Sequence, residues 1–487
     1  MSRGILFAIL LSCQVLAVAQ VGSFSSPTRL SSRLNKVRII GKNQDGYVVR
    51  FSGSEELIHI YDSDLKLAAA RTLDFKSGDG NLQQILLNRT GGSLVYLHGE
   101  KKQTLLMLQP VNSKFIDISV PITIDTFADR RDLVDANLHY KLSIDQNYTL
   151  YYYPIFADGM IRYMKMTCMD RAGEVVYKSF LTINRPERDM EYAKALVDNA
   201  GNGYLIFTAE KDAQDNVRGD EYYVIRIDKI NGQQTSYTIK CEKEIFGEPQ
   251  FEIDNVNGTL LFCGFYDDKG DPADAAANGF FYLKYDAPNG LLKQSNYSPF
   301  PSAFMTSLTG RSAGMSNRLF TFNIRKMLLR IDGGALITAE SVIRDKREVV
   351  TMSPSIMSTP YNTYRTIFTF AYNDIIAFSF NPDGSIDWSA IMRKKQLSED
   401  DDGFNSSFAF INEKDKVHFL YLDEISTSAS LDAYDLNSSG TSQRVILFGQ
   451  EEKDVFLIPK QGKQVAPNEV VIPSVKNGSF RLVRVQY

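Results

Sequence analysis

Cysteine is scarce in this chain, with four in 487 residues, and so are histidine, with four, and tryptophan, with one. So few cysteines exclude a disulfide scaffold, whose small core is replaced by dense cross-links. His59, His98, His139 and His418 stand far apart and share no ligand spacing, so no metal centre is expected from them and no cofactor is implied. A net charge of -4 gives no sign of the basic face by which proteins grip nucleic acid, and none is expected as a partner. After the first twenty residues, no apolar run approaches the ~20 residues that would cross a bilayer as a helix. What is plentiful is Tyr, 25, and Phe, 30, within a 44% hydrophobic composition: enough for a large core and suited to strands.

The N-terminus reads as an export signal. Met1-Ser-Arg3 supplies positive charge, Gly4 to Val18 is apolar but short, and Ala17-Val18-Ala19 forms a small-residue cleavage site, so residues 1–19 are expected to be removed and the mature chain to begin at Gln20. The rival is lipidation at Cys13 in Leu10-Leu11-Ser12-Cys13, where Leu at the middle position fits poorly and the apolar core would be cut short. Removal of the leader leaves Cys168, Cys241 and Cys263 in an oxidising compartment. A Cys241–Cys263 disulfide is one reading; three buried thiols packing as small hydrophobes is the preferred one. The localisation that follows is periplasmic, outer-surface or extracellular. Residues 20–35 are Ser-rich and polar, a tether or a first edge strand.

From residue 36 to 487 one pattern recurs. Tight-turn sequences such as Lys42-Asn-Gln-Asp-Gly46, Asn199-Ala-Gly-Asn-Gly203 and Asp254-Asn-Val-Asn-Gly258 each precede an apolar strand, YVVRF, YLIFT and TLLFCGF. A second turn follows, near Asp62, Pro110, Asp170, Asp228, Asp286, Asp383 and Asp435. A repeat of about 50 to 60 residues with four strands each is the mark of a β-propeller blade, which hides its apolar faces by stacking on neighbours. Seven complete units are expected at 36–75, 82–120, 138–183, 193–240, 249–298, 322–393 and 405–448. Residues 453–487 hold two or three strands more, and the N-terminal segment can supply the missing one. The expectation is therefore a single all-β domain of seven or eight four-stranded blades. An outer-membrane barrel ending at Tyr487 is disfavoured, because DIIAFSF and TLLFCGF are apolar on both faces.

Almost every long connection falls between the second and third strands of a unit or between units, so they belong on one face. They are expected as loops at 121–137, 184–192, 211–221, 267–278, 299–320, 344–365, 394–405 and 424–430, and this is where a site belongs on a rigid scaffold. Two of them are acidic, with Asp267, Asp268, Asp271 and Asp274 in one and Glu399 to Asp402 in the other. An EF-hand register around Gly403 would need ligands at Ser398 and Ala409 and fails at both, so solvated loops are expected rather than a calcium site. Arg130-Arg131 and Arg185-Pro-Glu-Arg-Asp189 are read as surface ion pairs.

No residue set with recognisable chemistry accompanies the repeat. Gly310-Arg-Ser312-Ala-Gly314 matches the nucleophile-elbow pattern, but no strand-to-helix context surrounds it and the one histidine downstream, His418, sits in a strand. Asn381-Pro-Asp-Gly-Ser-Ile-Asp-Trp388 resembles a sialidase Asp-box without the residue that should separate its Asp and Gly. Two carboxylates facing each other across a cleft would make a glycosidase, and spacing in the sequence does not test that. Catalytic residues are therefore unassigned. Tyr372-Asn-Asp-Ile-Ile376, Asp383-Gly-Ser-Ile-Asp-Trp388, Lys394-Lys-Gln396 and Asp402-Gly-Phe-Asn-Ser-Ser407, about a fifth of the chain, resemble uncharacterised exported β-propeller-like repeat proteins of Gram-negative bacteria; the resemblance implies export and repeat architecture only. The leading expectation is a non-catalytic exported scaffold of the cell envelope, binding a protein or glycan through the long-loop face and open to association with the outer membrane or cell surface. The alternative is a polysaccharide-active enzyme, a glycosidase or lyase.

Overall fold

The computed structural model describes residues 21–31, 34–73, 81–100, 103–127, 138–157, 160–183, 190–209, 220–268, 275–310, 318–353 and 361–487. The leader and Cys13 lie outside them. Eight antiparallel sheets of four strands or more follow one another, seven of them running in simple sequence order. They span 34–73, 81–127, 139–182, 190–240, 244–299, 322–392 and 408–449, and the eighth joins 463–486 to the N-terminal strand Val21–Phe24. The blade count is eight because the two ends of the chain share a sheet: Val21 pairs with Gln486 and Phe24 with Val483. Ser25 reinforces the closure, its N–H donating to the Leu482 carbonyl and its hydroxyl accepting from the Leu482 N–H, both at 2.9 Å.

Alternation along each strand gives every blade two apolar faces, and neither can be hidden within one sheet. The described residues accordingly form eight hydrophobic clusters, each drawn from two adjacent blades. Phe262, Phe281 and Leu260 of the fifth blade meet Tyr222, Val224 and Ile239 of the fourth, while Leu261, Phe280 and Tyr282 on its other face meet Ile376, Phe378 and Phe380 of the sixth. The first strand of each blade is innermost, and neighbouring first strands touch around most of the ring. This is a closed eight-bladed propeller, not a cylinder of continuous strands.

The outer turns share one chemistry. Asp62, Asn112, Asp170 and Asn437 each accept, through one side-chain oxygen, the N–H groups two and four residues on. That geometry puts the residue three positions on at positive φ: Gly173 and Gly440 in two blades, but Leu65 (φ 60°) and Phe115 (φ 59°) in the first two. Both exceptions are buried between blades 1 and 2 or 8 and 1, so packing offsets the strain. Two expected turn positions shift as a result. Pro110 lies inside the strand Gln103–Asn112 and the turn is at Asn112; Asp435 lies inside Ser430–Asn437 and the turn is at Asn437.

Two expected loops are strands. Of the expected loop 344–365, residues 344–353 continue the strand Ala335–Ser353 and residues 361–365 open the strand Tyr361–Phe380, the two pairing from Ala335↔Phe380 to Ser353↔Tyr361, while 354–360 lie outside the described residues. The neighbouring strand Phe322–Leu329 stops pairing at Ser341 and Ile386–Met392 begins only at Ile375, so the hairpin runs on past its blade as an arm. Residues 396–399, expected within a loop, form a short strand against Thr369–Tyr372 at the arm's base. The expected loop 121–137 likewise begins with the fourth strand of blade 2, Ile122–Phe127, and that at 299–320 contains a helix, α1 (Ser302–Thr309).

Candidate functional site

First strands of propeller blades face an axial channel, so polar side chains on them point into shared space. Between those of blades 6, 7 and 8 lies a cavity of about 590 Å³, lined by Arg325, Lys326, Phe410, Asn412, Lys460 and Lys463 among others. Ser407 and Lys460 come from connections between blades, which places one end of the cavity on the long-connection face.

The four cations are exposed to the solvent of the channel. Arg325 is aimed by a buried carboxylate, its Nε lying 2.9 Å from Glu340 Oε2, while its guanidinium sits over the Tyr372 ring. Glu340 is wholly buried, takes Lys394 at 2.8 Å and accepts from the Ser407 hydroxyl at 2.7 Å. Lys394 also donates to the Tyr372 carbonyl and to Gln396 Oε1, and Gln396 donates in turn to the Leu422 carbonyl. The network thus fastens the arm's base to blade 7 and fixes the cavity wall. Burial pulls the Lys394 pKa down, against the opposing pull of Glu340.

The lysines of the cavity make no ion pair with a described carboxylate. Lys460 donates to the Gly403 carbonyl at 2.6 Å. Its pKa is lowered by burial and by Arg325 and Arg344, with Asp401 and Asp402 opposing. Lys463 donates to the Ile40 carbonyl, and burial together with Arg38 lowers its pKa. Lys326 lies over the Phe410 ring. Across the channel the charges are mixed, with Lys194 set among Lys141, Glu248 and Glu252.

The acidic segment beside this site is a brace for the arm. Glu399 pairs with Arg347 at 2.6 Å, Asp400 with Arg365 at 2.9 Å, and Asp400 also accepts from the Phe368 N–H. Glu399 and Asp400 are exposed, as a solvated segment requires, and the contacts add a bracing role that the sequence reading did not include. The other acidic segment is tied down in its described part, with Asp267 against Arg318 and Asp268 against Lys243; Asp271 and Asp274 lie outside the described residues.

A second cavity, about 690 Å³, lies between blades 6 and 7 towards the opposite face. In its wall Arg330 contacts Asp332 at 2.6 Å and Asp387 at 3.2 Å. Trp388 there donates its indole N–H to the Ser438 carbonyl at 2.9 Å. Asp383, of the Asp-box-like segment, accepts from the Ser385 hydroxyl and N–H and serves the turn.

Other residues singled out in the sequence are dispersed. His59 is buried against Tyr61, His139 stacks on Tyr152, and His418 lies 2.7 Å from Asp435 and 3.2 Å from Glu413. Among the described residues no group of His, Cys, Asp or Glu is placed to hold a metal ion. Cys168, Cys241 and Cys263 are buried thiols outside any disulfide, so no Cys241–Cys263 bond forms. Ser312, Arg130-Arg131 and Arg185 to Asp189 lie outside the described residues. The cationic set went unread in the sequence, although first strands bearing Arg325-Lys326 and Lys463 amid apolar repeats were its signal.

No protein-family model matches the chain, and no curated protein is similar to it. Among solved structures it is similar to the WD40 domain of SCAP from fission yeast, at 9% identity and a TM-score of 0.40 over 96% of this chain and 98% of that one. It is also similar to the polysaccharide lyase Uly1, at 8% identity and a TM-score of 0.40 over 93% of this chain and 99% of that one. Puromycin hydrolase is similar at 13% identity and a TM-score of 0.34, over 71% of this chain and 53% of that one.

Proposed function

We propose that this chain is an exported, non-catalytic propeller of the bacterial cell envelope that binds a protein or glycan partner at the face bearing its long connections. The observation that carries the reading is the cavity between blades 6, 7 and 8, of ligand size at about 590 Å³, open to that face and flanked by the braced arm. A rigid ring with its walls locked by the Glu340 network is a preorganised receptor, which keeps the ordering cost of binding low. The lining also separates the proposal from the glycosidase form of its rival. A glycosidase works with two carboxylates at the sugar, whereas no carboxylate is among the described residues that line this cavity, and Glu340 behind them is sealed from solvent.

The test is a glycan and protein array probed with the exported chain, its N-terminus weighed by mass spectrometry. A mature chain starting at Gln20 and a bound class that is recovered unchanged are expected. Shortened polysaccharide products, or a chain retaining its first nineteen residues after expression in a Gram-negative host, would overturn the reading.

A further inference from the structure

We propose that the cavity between the inner strands of blades 6, 7 and 8 holds the carboxylate or sulfate groups of an acidic oligosaccharide, with Arg325, Lys326, Lys460 and Lys463 as its cationic contacts. The inference rests on the glycan side of the function proposed above and names its ligand class.

Charge balance carries the argument. Four cations share one cavity of about 590 Å³, and among the described residues the only carboxylate bonded to any of them, Glu340, is fully buried and already divided among Arg325, Lys394 and Ser407. Arg38 adds to the positive charge felt by Lys463, while at Lys460 Asp401 and Asp402 oppose Arg325 and Arg344 from outside the cavity lining. Like charges gathered in a concave, partly desolvated space repel, and an anion entering that space relieves the repulsion and gains charge-assisted hydrogen bonds. Arg325 spends donors on Glu340 and keeps the remainder of its fork for a ligand, its plane fixed by Glu340 on one side and the Tyr372 ring beneath.

The remaining lining says which anion. Phe410 presents a half-buried ring beside Lys326, and Asn412 an exposed amide on the same strand. An aromatic face next to amide and cation suits a sugar ring that carries both hydroxyls and an acid group. The cavity is an inner pocket of the channel and admits the end of a chain rather than a folded protein surface.

The experiment uses the mature chain and calorimetry with four probes: tetragalacturonate, sulfated cellotetraose, neutral cellotetraose and hexaglutamate. Binding of at least one of the two acidic sugars is expected, weakening severalfold or more as salt rises from about 50 to about 200 mM. Lys326→Ala with Lys463→Ala should weaken it at least ~10-fold, while Lys326→Arg with Lys463→Arg retains it and Lys66→Ala, on an exposed turn, leaves it unchanged. A melting temperature equal to the parent's shows that the double alanine variant is folded. Uronate binding without sulfate binding, or the reverse, assigns the acid group. The proposal falls if neither acidic sugar binds, if the double alanine variant binds as the parent does, or if hexaglutamate binds more tightly than both sugars. Binding of neutral glycan or of an array protein in that event would leave the broader receptor function standing, whereas a blank array would remove both.

Discussion

Lys394 Nζ lies 2.8 Å from Glu340 Oε1, with both side chains wholly buried at the root of the arm. The two partners are unequal. Glu340 also binds Arg325 and Ser407, whereas the Lys394 ammonium, among the described residues, has Glu340 as its carboxylate partner and otherwise donates to the neutral Tyr372 carbonyl and Gln396 Oε1. Removing one member of a buried pair costs about 3–5 kcal/mol because the other charge is stranded. Glu340→Gln strands the sealed Lys394 ammonium and also unseats the exposed Arg325, so it should sit at the top of that range, and Lys394→Met, after which Glu340 keeps Arg325 and Ser407, near its lower end. Chemical denaturation of the two variants checks the order. Equal losses would mean that Arg325 does not draw on Glu340.

The pH profile follows from groups at both ends of the scale. Burial pushes Tyr61, Tyr204, Tyr266 and Tyr285 up to about 12. A raised phenol keeps its proton in the fold after the unfolded chain has lost it, so this stability is complete below about pH 10 and drains away between about 10 and 12. Lys394, Lys460 and Lys463 act with the opposite sign. Their pKa values are lowered in the fold, so their penalty eases as pH climbs towards 10.5. On the acid side, Asp228 is held below the ordinary carboxylate value by the Ile230 N–H and Arg226, and Asp383 by the Ser385 hydroxyl and N–H. Their contribution is present above about pH 4 and disappears as pH falls through the lowered values. Melting temperatures should peak between these limits. Tyrosinate absorbance should show the four phenols still protonated at pH 11 in the folded protein.

Much of this fold was legible because a propeller repeats its instructions. Strand, Asx turn and strand recur, and each unit's apolar runs require a neighbour on both sides; even the ring closure by residues 21–24 follows from a last unit that is one strand short. The arm was not legible. Arg344 to Glu348 reads as a polar loop because a two-stranded ribbon in water needs no buried face, and its pairing is set by register with Thr366 to Phe370, not by hydrophobic alternation. The cavity was hidden for a different reason. Its cations come from positions 325–326 and 460–463, brought together only when the ring places blades 6 and 8 on either side of blade 7.

Closure of the ring gives a further prediction. Phe24 packs edge-on against Phe448 of blade 7, ring centres 5.1 Å apart, so the N-terminal strand fastens blade 8 to its neighbour as well as completing it. Phe24→Ala should cost about 2 kcal/mol, less than the 3–5 of a fully buried Phe because this ring is half-buried. Hydrogen exchange should quicken first along Ser479–Gln486, the strand that Val21–Phe24 protects. Unchanged exchange in that strand would mean the N-terminal strand is not what seals the ring.

Trp388, the chain's one tryptophan, supplies its own reporter for the contact between blades 6 and 7. Gly440 closes the outer turn of blade 7 at φ 83°, and a Cβ there would come within 2.7 Å of the indole. Gly440→Ala therefore meets two penalties at once. The left-handed backbone costs an alanine about 1 kcal/mol, and the indole must shift, which stretches its 2.9 Å bond to the Ser438 carbonyl. A loss of about 2–3 kcal/mol is expected, with a red-shifted tryptophan emission as the ring turns to water. Trp388→Phe in the same background removes the indole N–H and trims the ring, so it should recover part of the loss. If Gly440→Ala left both emission and stability unchanged, the turn of blade 7 would not rest on the tryptophan, and the second cavity, which Trp388 lines, would have a wall free to move.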